Sequence, residues 1–282
     1  MLELRRLRLL HLFALHGTIA AVASATGYTQ SAVSQQLAVL EREVGAALLE
    51  RSARSAALTA AGLRLAGHAA GLLDAAEAAE ADVASAAGAV AGRVVVSGVP
   101  TAATAWAPAL IAVRRAYPAL DLVLRQYDPL RALDALRSRE VDVALVDDWS
   151  DDPVCEPGLR RRLLLRDPLM LAGPADGDVW LCAPSDQPSR VATDPILARL
   201  GIRPATRWEF EGLATIAALV SQGVGTAVLP RLALLGTDVP AVLLDPPRHR
   251  RIDAVIRAAS WARPAIAAVV DSLQAHGAEL GV

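Results

Sequence analysis

Gln30, Ser31, Ser34 and Gln35 put two carboxamides and two hydroxyls within six residues of the stretch "GYTQSAVSQQLAVLE", residues 27–41. Short neutral groups that both donate and accept are suited to the edges of base pairs. A Gln carboxamide can pair bidentately with adenine, and a Ser hydroxyl can serve a base or a phosphate. Such groups need a helix to present them. Val33, Leu37, Leu40 and Val44 recur at spacings of four, three and four, which is one face of a 3.6-residue period. The polar residues and Arg42 fall on the rest of the surface, and Thr29 stands where an N-cap belongs. A face that simply meets water is the competing reading of the same pattern, and the flanking segments decide between the two.

Residues 4–16 are apolar on one side through Leu4, Leu7, Leu10 and Ala14; Gly17 stops the helix and Thr18 caps a second one over residues 19–26. Gly27 then turns the chain. Three helices with a tight turn between the second and third form the helix-turn-helix arrangement, whose third helix enters the major groove. Residues 46–51 and 56–58 flank a polar turn at 52–55 and read as a β-hairpin wing, with Arg51 and Arg54 set to meet the DNA backbone or an adjacent minor groove.

Thr59 can cap a proline-free helix running to about residue 90. Leu65, Leu72, Ala79 and Ala86, with Ala69, Ala76, Val83 and Val90, occupy the two apolar places of one heptad frame, and Asp74, Glu77, Glu80 and Asp82 fall outside it. Gly62, Gly67 and Gly71 weaken the helix, and an alanine-rich seam buries little per residue. A second copy is the expected partner, with Leu65, Leu72, Ala76 and Val83 as dimerisation residues. Dimerisation would also set two recognition helices on paired half-sites.

After Gly92 the pattern changes to apolar runs alternating with helical stretches: strands near 94–96, 120–126 and 141–146, with helices at 102–117 and 129–138 between them. This is a parallel α/β sheet. An apolar connecting strand at 163–172 leads to a second α/β set, with a helix near 195–200, a strand near 207–209, a helix at 213–222 and strands at 226–229 and 242–244. A strand at 251–257 and a helix at 264–276 close the chain. Two α/β lobes joined by two crossings enclose a cleft, and parallel sheets bind ligands beyond their strand C-termini, near helix N-termini. The loop "SGVPTAAT" offers Thr101 and Thr104 there, and 127–128, 147–148, 222–225 and Ser185 hold comparable positions.

Composition bounds the function. All 28 basic residues are Arg, and a net charge of −2 excludes a wholly basic nucleic-acid binder. Residues 1–65 nevertheless carry seven Arg against four Glu, a local excess that suits DNA. No stretch reads as a membrane span or a leader, so a cytoplasmic protein is expected. Cys155 and Cys182 are too few and too isolated for a disulfide scaffold or a metal cluster and read as reduced thiols. His11, His16, His68, His249 and His276 have no metal-ligand spacing, and neither a nucleophile elbow nor a phosphate-loop signature occurs. Neither an enzyme activity nor a cofactor nor a metal is expected.

In the order of its parts the chain resembles the LysR-type transcriptional regulators. The resemblance is most specific over residues 4–62, in "LRRLRLLHLFALHGTIAAVASATGYTQSAVSQQLAVLEREVGAALLER" and the following "LTAAG"; "REVDVALV" and "LVSQGVGTAVLP" are similar to phrases of the family's effector domain. It implies an α/β chain with an N-terminal winged helix-turn-helix over 1–58, a linker helix over 59–91 and a bilobal, periplasmic-binding-protein-like effector domain over 92–282. Lobe I would span about 92–162 and 247–282, and lobe II about 163–246. The implied partners are double-stranded DNA, a small-molecule effector, for which an anion is one candidate, and further copies of the chain in a homodimer or homotetramer. The positions carried over for DNA are Thr29, Gln30, Ser31, Ser34, Gln35 and Gln36 with Arg51 and Arg54; those for the effector are Thr101, Thr104, Tyr127, Asp147, Ser185 and Gly225. Gln35 stands where the family often has Arg, Thr26 where a core Leu is usual, and little chain remains between Pro174 and Trp180 to wall lobe II. A regulator without ligand response is the alternative function. An enzyme on the bilobal fold would need catalytic groups that the sequence does not display, and the wing argues against a simple solute-binding module.

Overall fold

The computed structural model describes residues 1–51, 56–150, 156–174, 177–199, 201–202 and 204–281. The chain opens with α1 (Leu4–His16), α2 (Ile19–Thr26) and α3 (Gln30–Val44). Thr18 Oγ1 accepts from Ala21 N at 3.1 Å and Thr29 Oγ1 from Ala32 N at 3.2 Å, satisfying amides that a helix start leaves without partners. Leu7, Leu10 and Phe13 of α1, Val22 of α2 and Val33, Leu37 and Leu40 of α3 close into one core with Leu48 and Leu49. Thr26 keeps its hydroxyl satisfied within α2, donating to Val22 O at 2.7 Å. The wing strands β1 (Leu49–Arg51) and β2 (Ala56–Leu58) pair antiparallel. Glu41 fastens the wing to α3, its Oε1 accepting from Leu48 N at 2.9 Å and Leu49 N at 3.0 Å. The wing turn at 52–55, with Arg54, lies outside the described residues.

Thr59 caps the linker helix α4 (Ala60–Ala87), its Oγ1 accepting from Gly62 N at 3.0 Å. Gly62 is more than a weak point in that helix: a Cβ there would lie 2.2 Å from Leu48 O, so the glycine allows the wing and linker to touch. The buried residues of α4 are Gly62, Ala66, Ala69, Leu73 and Ala81, and they face the chain's own domains. The expected seam is therefore divided. Ala69 joins the core of the DNA-binding domain and a part-buried Leu65 packs against it, whereas Leu72 and Val83 stay exposed beside a part-buried Ala76. A 28-residue amphipathic helix can carry two apolar faces, and spacing does not say which one the chain itself consumes.

In the effector domain β3 (Gly92–Gly98), β4 (Leu120–Gln126) and β5 (Val143–Asp148) are parallel, connected by α5 (Pro100–Ala116) and α6 (Pro129–Arg137). The long strand β6 (Leu159–Ala172) follows, then β7 (Val179–Cys182), α7 (Pro188–Arg199), β8 (Thr206–Glu209), α8 (Leu213–Ser221), β9 (Ala227–Pro230), β10 (Ala241–Leu243), β11 (His249–Arg257) and α9 (Pro264–Leu280). The main sheet runs β10-β6-β11-β5-β3-β4, with β9 also on β6. The first part of β6 pairs with β11 and its last part with β9 and β10, so the sheet passes continuously from one lobe into the other. The lobe boundary read at 163 falls inside that strand. Helix α7 starts before the stretch that the sequence marks near 195, and Pro195 sits within it. One face of the sheet packs Ile252, Ala254 and Ile256 against Trp106 of α5 and Ile266 and Leu273 of α9; the other packs Val255 against Ala135 and Leu136 of α6.

Candidate functional site

Helix α3 presents Gln30, Ser31 and Gln35 to solvent, with Ser34 part-buried among them. The Thr29 hydroxyl is used locally, capping the helix and lying 3.0 Å from Ser31 Oγ. Gln36 differs from its neighbours. Its Oε1 accepts from Arg6 Nε at 3.1 Å, and Arg6 is also paired with Glu3 and Glu43, so Gln36 belongs to the α1–α3 joint and not to the open face. One residue beyond Gln35 is about 100° around the helix axis, enough to leave that face. Arg51 closes β1 beside Ala56.

A cavity of about 490 Å³ opens between the lobes. Lobe I lines it with residues that follow β3 (Val99, Pro100, Thr101), β4 (Tyr127, Asp128) and β5 (Trp149), and lobe II with Gln187, Ser189 and Glu211 among others. This is the strand-C-terminal edge at which open α/β sheets bind ligands. Thr101, Tyr127 and Asp147 reach its wall; Thr104, Ser185 and Gly225 do not. Thr104 is exposed one turn along α5, donating to Pro100 O at 3.0 Å. Ser185 is exposed on the turn before α7. Gly225 is a packing glycine: a Cβ on it would stand 2.4 Å from Val179 O.

Arg250, which sequence spacing does not single out, organises the floor. Its side chain is 0 % exposed. Nε donates to Asp167 Oδ2 at 2.9 Å, Nη1 to Asp147 Oδ2 at 3.0 Å and Nη2 to Thr101 Oγ1 at 2.8 Å. The guanidinium lies 5.3 Å from the Trp149 ring centroid, and Trp149 Nε1 donates to Asp147 Oδ2 at 2.8 Å. Asp167 is buried beneath, its Oδ1 accepting from Leu232 N at 3.0 Å; burial pushes its carboxyl up, against the pull of Arg250. The Tyr127 hydroxyl donates to Glu140 Oε1 at 2.7 Å, so Tyr127 offers the cavity mainly its ring. Charge and hydrogen bonding are what this wall provides. Among the described residues no three His, Cys, Asp or Glu side chains gather in a way that could hold a metal. Cys182 lies outside the cavity wall, Sγ 3.5 Å from Trp208 O, and Cys155 lies outside the described residues.

The opposite end of β11 carries a second buried arginine. Arg257 Nη1 donates to Leu136 O at 3.0 Å and Val141 O at 2.5 Å, Nη2 to Asp142 Oδ1 at 3.0 Å, and Nε and Nη2 to Glu77 of the linker helix, at 3.0 Å and 2.8 Å. Arg139 adds bonds to Glu77 and to Asp74, the latter at 2.6 Å. Burial alone would raise the Glu77 carboxyl, but Arg257 and Arg139 hold it below the usual carboxylate range. Arg8 and His11 of α1 come against the same corner, near Arg139, and burial lowers both.

A winged helix-turn-helix, a long connecting helix and a bilobal domain with a cavity at its strand ends together define a DNA-binding module coupled to a binding domain. The chain belongs to the LysR family of transcriptional regulators: the family described as "Bacterial regulatory helix-turn-helix protein, lysR family" matches residues 4–63, and "LysR substrate binding domain" matches 87–278. It is similar to the nitrogen assimilation regulatory protein nac of Escherichia coli (strain K12), 29% identical over 77% of this chain and 74% of that one. It is also similar to the regulator CbbR of Rhodospirillum rubrum, 27% identical over 97% and 96%. Full-length OxyR from Pseudomonas aeruginosa shares the fold at a TM-score of 0.69, with 21% identity over 97% and 95% of the two chains. These relatives are regulators, not enzymes. No helix among the described residues is long and apolar enough to cross a membrane.

Proposed function

We propose that this LysR-family regulator binds duplex DNA sequence-specifically as a dimer or tetramer, through α3 and the wing, and that a small molecule held between the lobes modulates that binding. The observation that carries the reading is a cavity walled by both lobes in a chain whose recognition helix keeps Gln30, Ser31 and Gln35 exposed. Leu72 and Val83, 43% and 71% exposed on one stripe of α4, support a partner helix from a second copy.

Footprinting should reveal paired half-sites, and affinity should fall steeply with salt as arginine–phosphate contacts release counterions. Gln30→Ala should weaken the cognate duplex by about 1–3 kcal/mol and leave a scrambled duplex nearly unchanged. Equal losses on both duplexes would remove Gln30 from base recognition, and a single unpaired footprint would remove the dimer.

A further inference from the structure

We infer that the ligand of the inter-lobe cavity carries a protonated amine, a deepening that rests on the cavity being the effector site. Three carboxylates, Asp128, Asp147 and Glu211, stand on its wall against one guanidinium, Arg250. That guanidinium is the group a carboxylate ligand would seek, and it is already used. Each of its nitrogens donates a bond, to Asp167, Asp147 and Thr101, its side chain is 0 % exposed, and it lies 5.3 Å from the Trp149 ring centroid. An incoming anion would meet a buried guanidinium whose charge Asp167 and Asp147 already share, while approaching the carboxylates of Asp128 and Glu211.

An ammonium meets the opposite situation. Glu211 is exposed on the lobe II side and accepts no hydrogen bond from the described residues. Across the gap, Asp128 uses Oδ1 to cap α6 through Arg131 N at 2.9 Å, which leaves its second oxygen for a ligand. Asp147 spends Oδ2 on both Arg250 and Trp149 and likewise keeps Oδ1. The nearby cations outside the wall, Arg125 and Arg131, are both paired with Glu140. Arg131 also lies over the Tyr127 ring, 5.0 Å from its centroid, so the charge of this nearby cation is already met by Glu140 and the ring. Because Asp128 and Glu211 belong to different lobes, an ammonium between them would draw the lobes together.

Binding should be compared by calorimetry on the full-length protein for pentane-1,5-diamine, pentane-1,5-diol and glutarate, which match in length and differ in charge. The diamine should bind and the other two should not. Glu211→Gln should weaken the diamine about three- to fivefold, the range of a partly solvated ion pair, and Asp128→Asn with Glu211→Gln should weaken it further, since Asn still caps α6. Glu80→Gln, on the outside of α4, should change nothing. Gln187→Trp fills the cavity from an exposed position and should abolish binding; the two carboxamide variants test the same point should that variant fail to fold. No diamine binding at millimolar concentration, or equal binding to the double variant, would overturn the inference. Glutarate binding that Gln187→Trp abolishes would overturn the amine and leave the cavity as the effector site. Diamine binding indifferent to Gln187→Trp in a folded protein would remove both.

Discussion

Strand β11 holds a buried arginine near each end, and the two are used differently. Arg250 and Arg257 are seven residues apart, roughly 24 Å at strand rise, on a strand flanked by β5 and β6. Arg257 is a sealed joint. It binds two carbonyls and two carboxylates drawn from α4, from α6 and from the segment joining α6 to β5, and water has little access. Arg250 is equally buried, but its partners Asp147 and Thr101 form the wall of an open cavity. One end thus fixes the linker helix to lobe I and the other shapes a space a ligand can enter. The strand between them is hydrogen-bonded on both sides.

The largest way to break this contrast is Arg257→Met. It leaves Glu77 and Asp142 without their shared counter-charge and strips two carbonyls of a donor, so it should cost about 3–5 kcal/mol. Arg250→Met should cost less, about 1–3 kcal/mol, because Asp147 can turn to cavity water and Asp167, already pushed up by burial, can take a proton. Chemical denaturation of the full chain measures both. An Arg250→Met loss equal to or above that of Arg257→Met would erase the distinction between joint and wall.

Acid should open the joint. The Glu77 carboxyl is held below its ordinary value in the folded chain, so its contribution is fully present above the unfolded value, roughly 4.3, and is lost as pH falls through the lower folded value. Amide exchange in the middle of α4 should therefore accelerate below about pH 4.3, and Glu77→Gln should show that faster exchange already at neutral pH. Exchange in α4 that is independent of both would mean that Glu77 does not hold the helix.

How much of this the sequence displays depends on the range of the interaction. The exposed face of α3 is legible because a cap and a period of 3.6 act within fifteen residues. Thr101, Tyr127 and Asp147 are legible because βα loops must line the strand ends. Gln36, carried over from the family resemblance, bonds Arg6 of α1, and Leu65, taken from the heptad spacing, packs part-buried against the DNA-binding core, contacts that neither signal displays. The two arginines are illegible for a different reason: Arg257 meets Glu77 across 180 positions and Arg250 meets Thr101 across 149, pairings that no local pattern encodes. One signal does exist. Arg250 shares its strand face with Ile252, Ala254 and Ile256, all buried, and an arginine in an inward position requires a buried partner.

The smallest effect sharpens the wall itself. Thr101→Val keeps the branched shape and removes only the oxygen that accepts from Arg250 Nη2 at 2.8 Å. At this 8 % exposed position the guanidinium keeps its bonds to Asp167 and Asp147, and cavity water can meet the freed N–H, so stability should fall by only about 1 kcal/mol. The Thr101 oxygen is an internal support for Arg250 before any ligand arrives. A protonated amine can use only the second lone pair of this oxygen, so the substitution should weaken binding of the cavity ligand about fivefold or less, the equivalent of about 1 kcal/mol. Thermal unfolding and calorimetry on the same preparation separate the two quantities. A loss of affinity far larger than the loss of stability would make Thr101 a direct ligand contact, and Arg250 would then have to release it when the cavity fills.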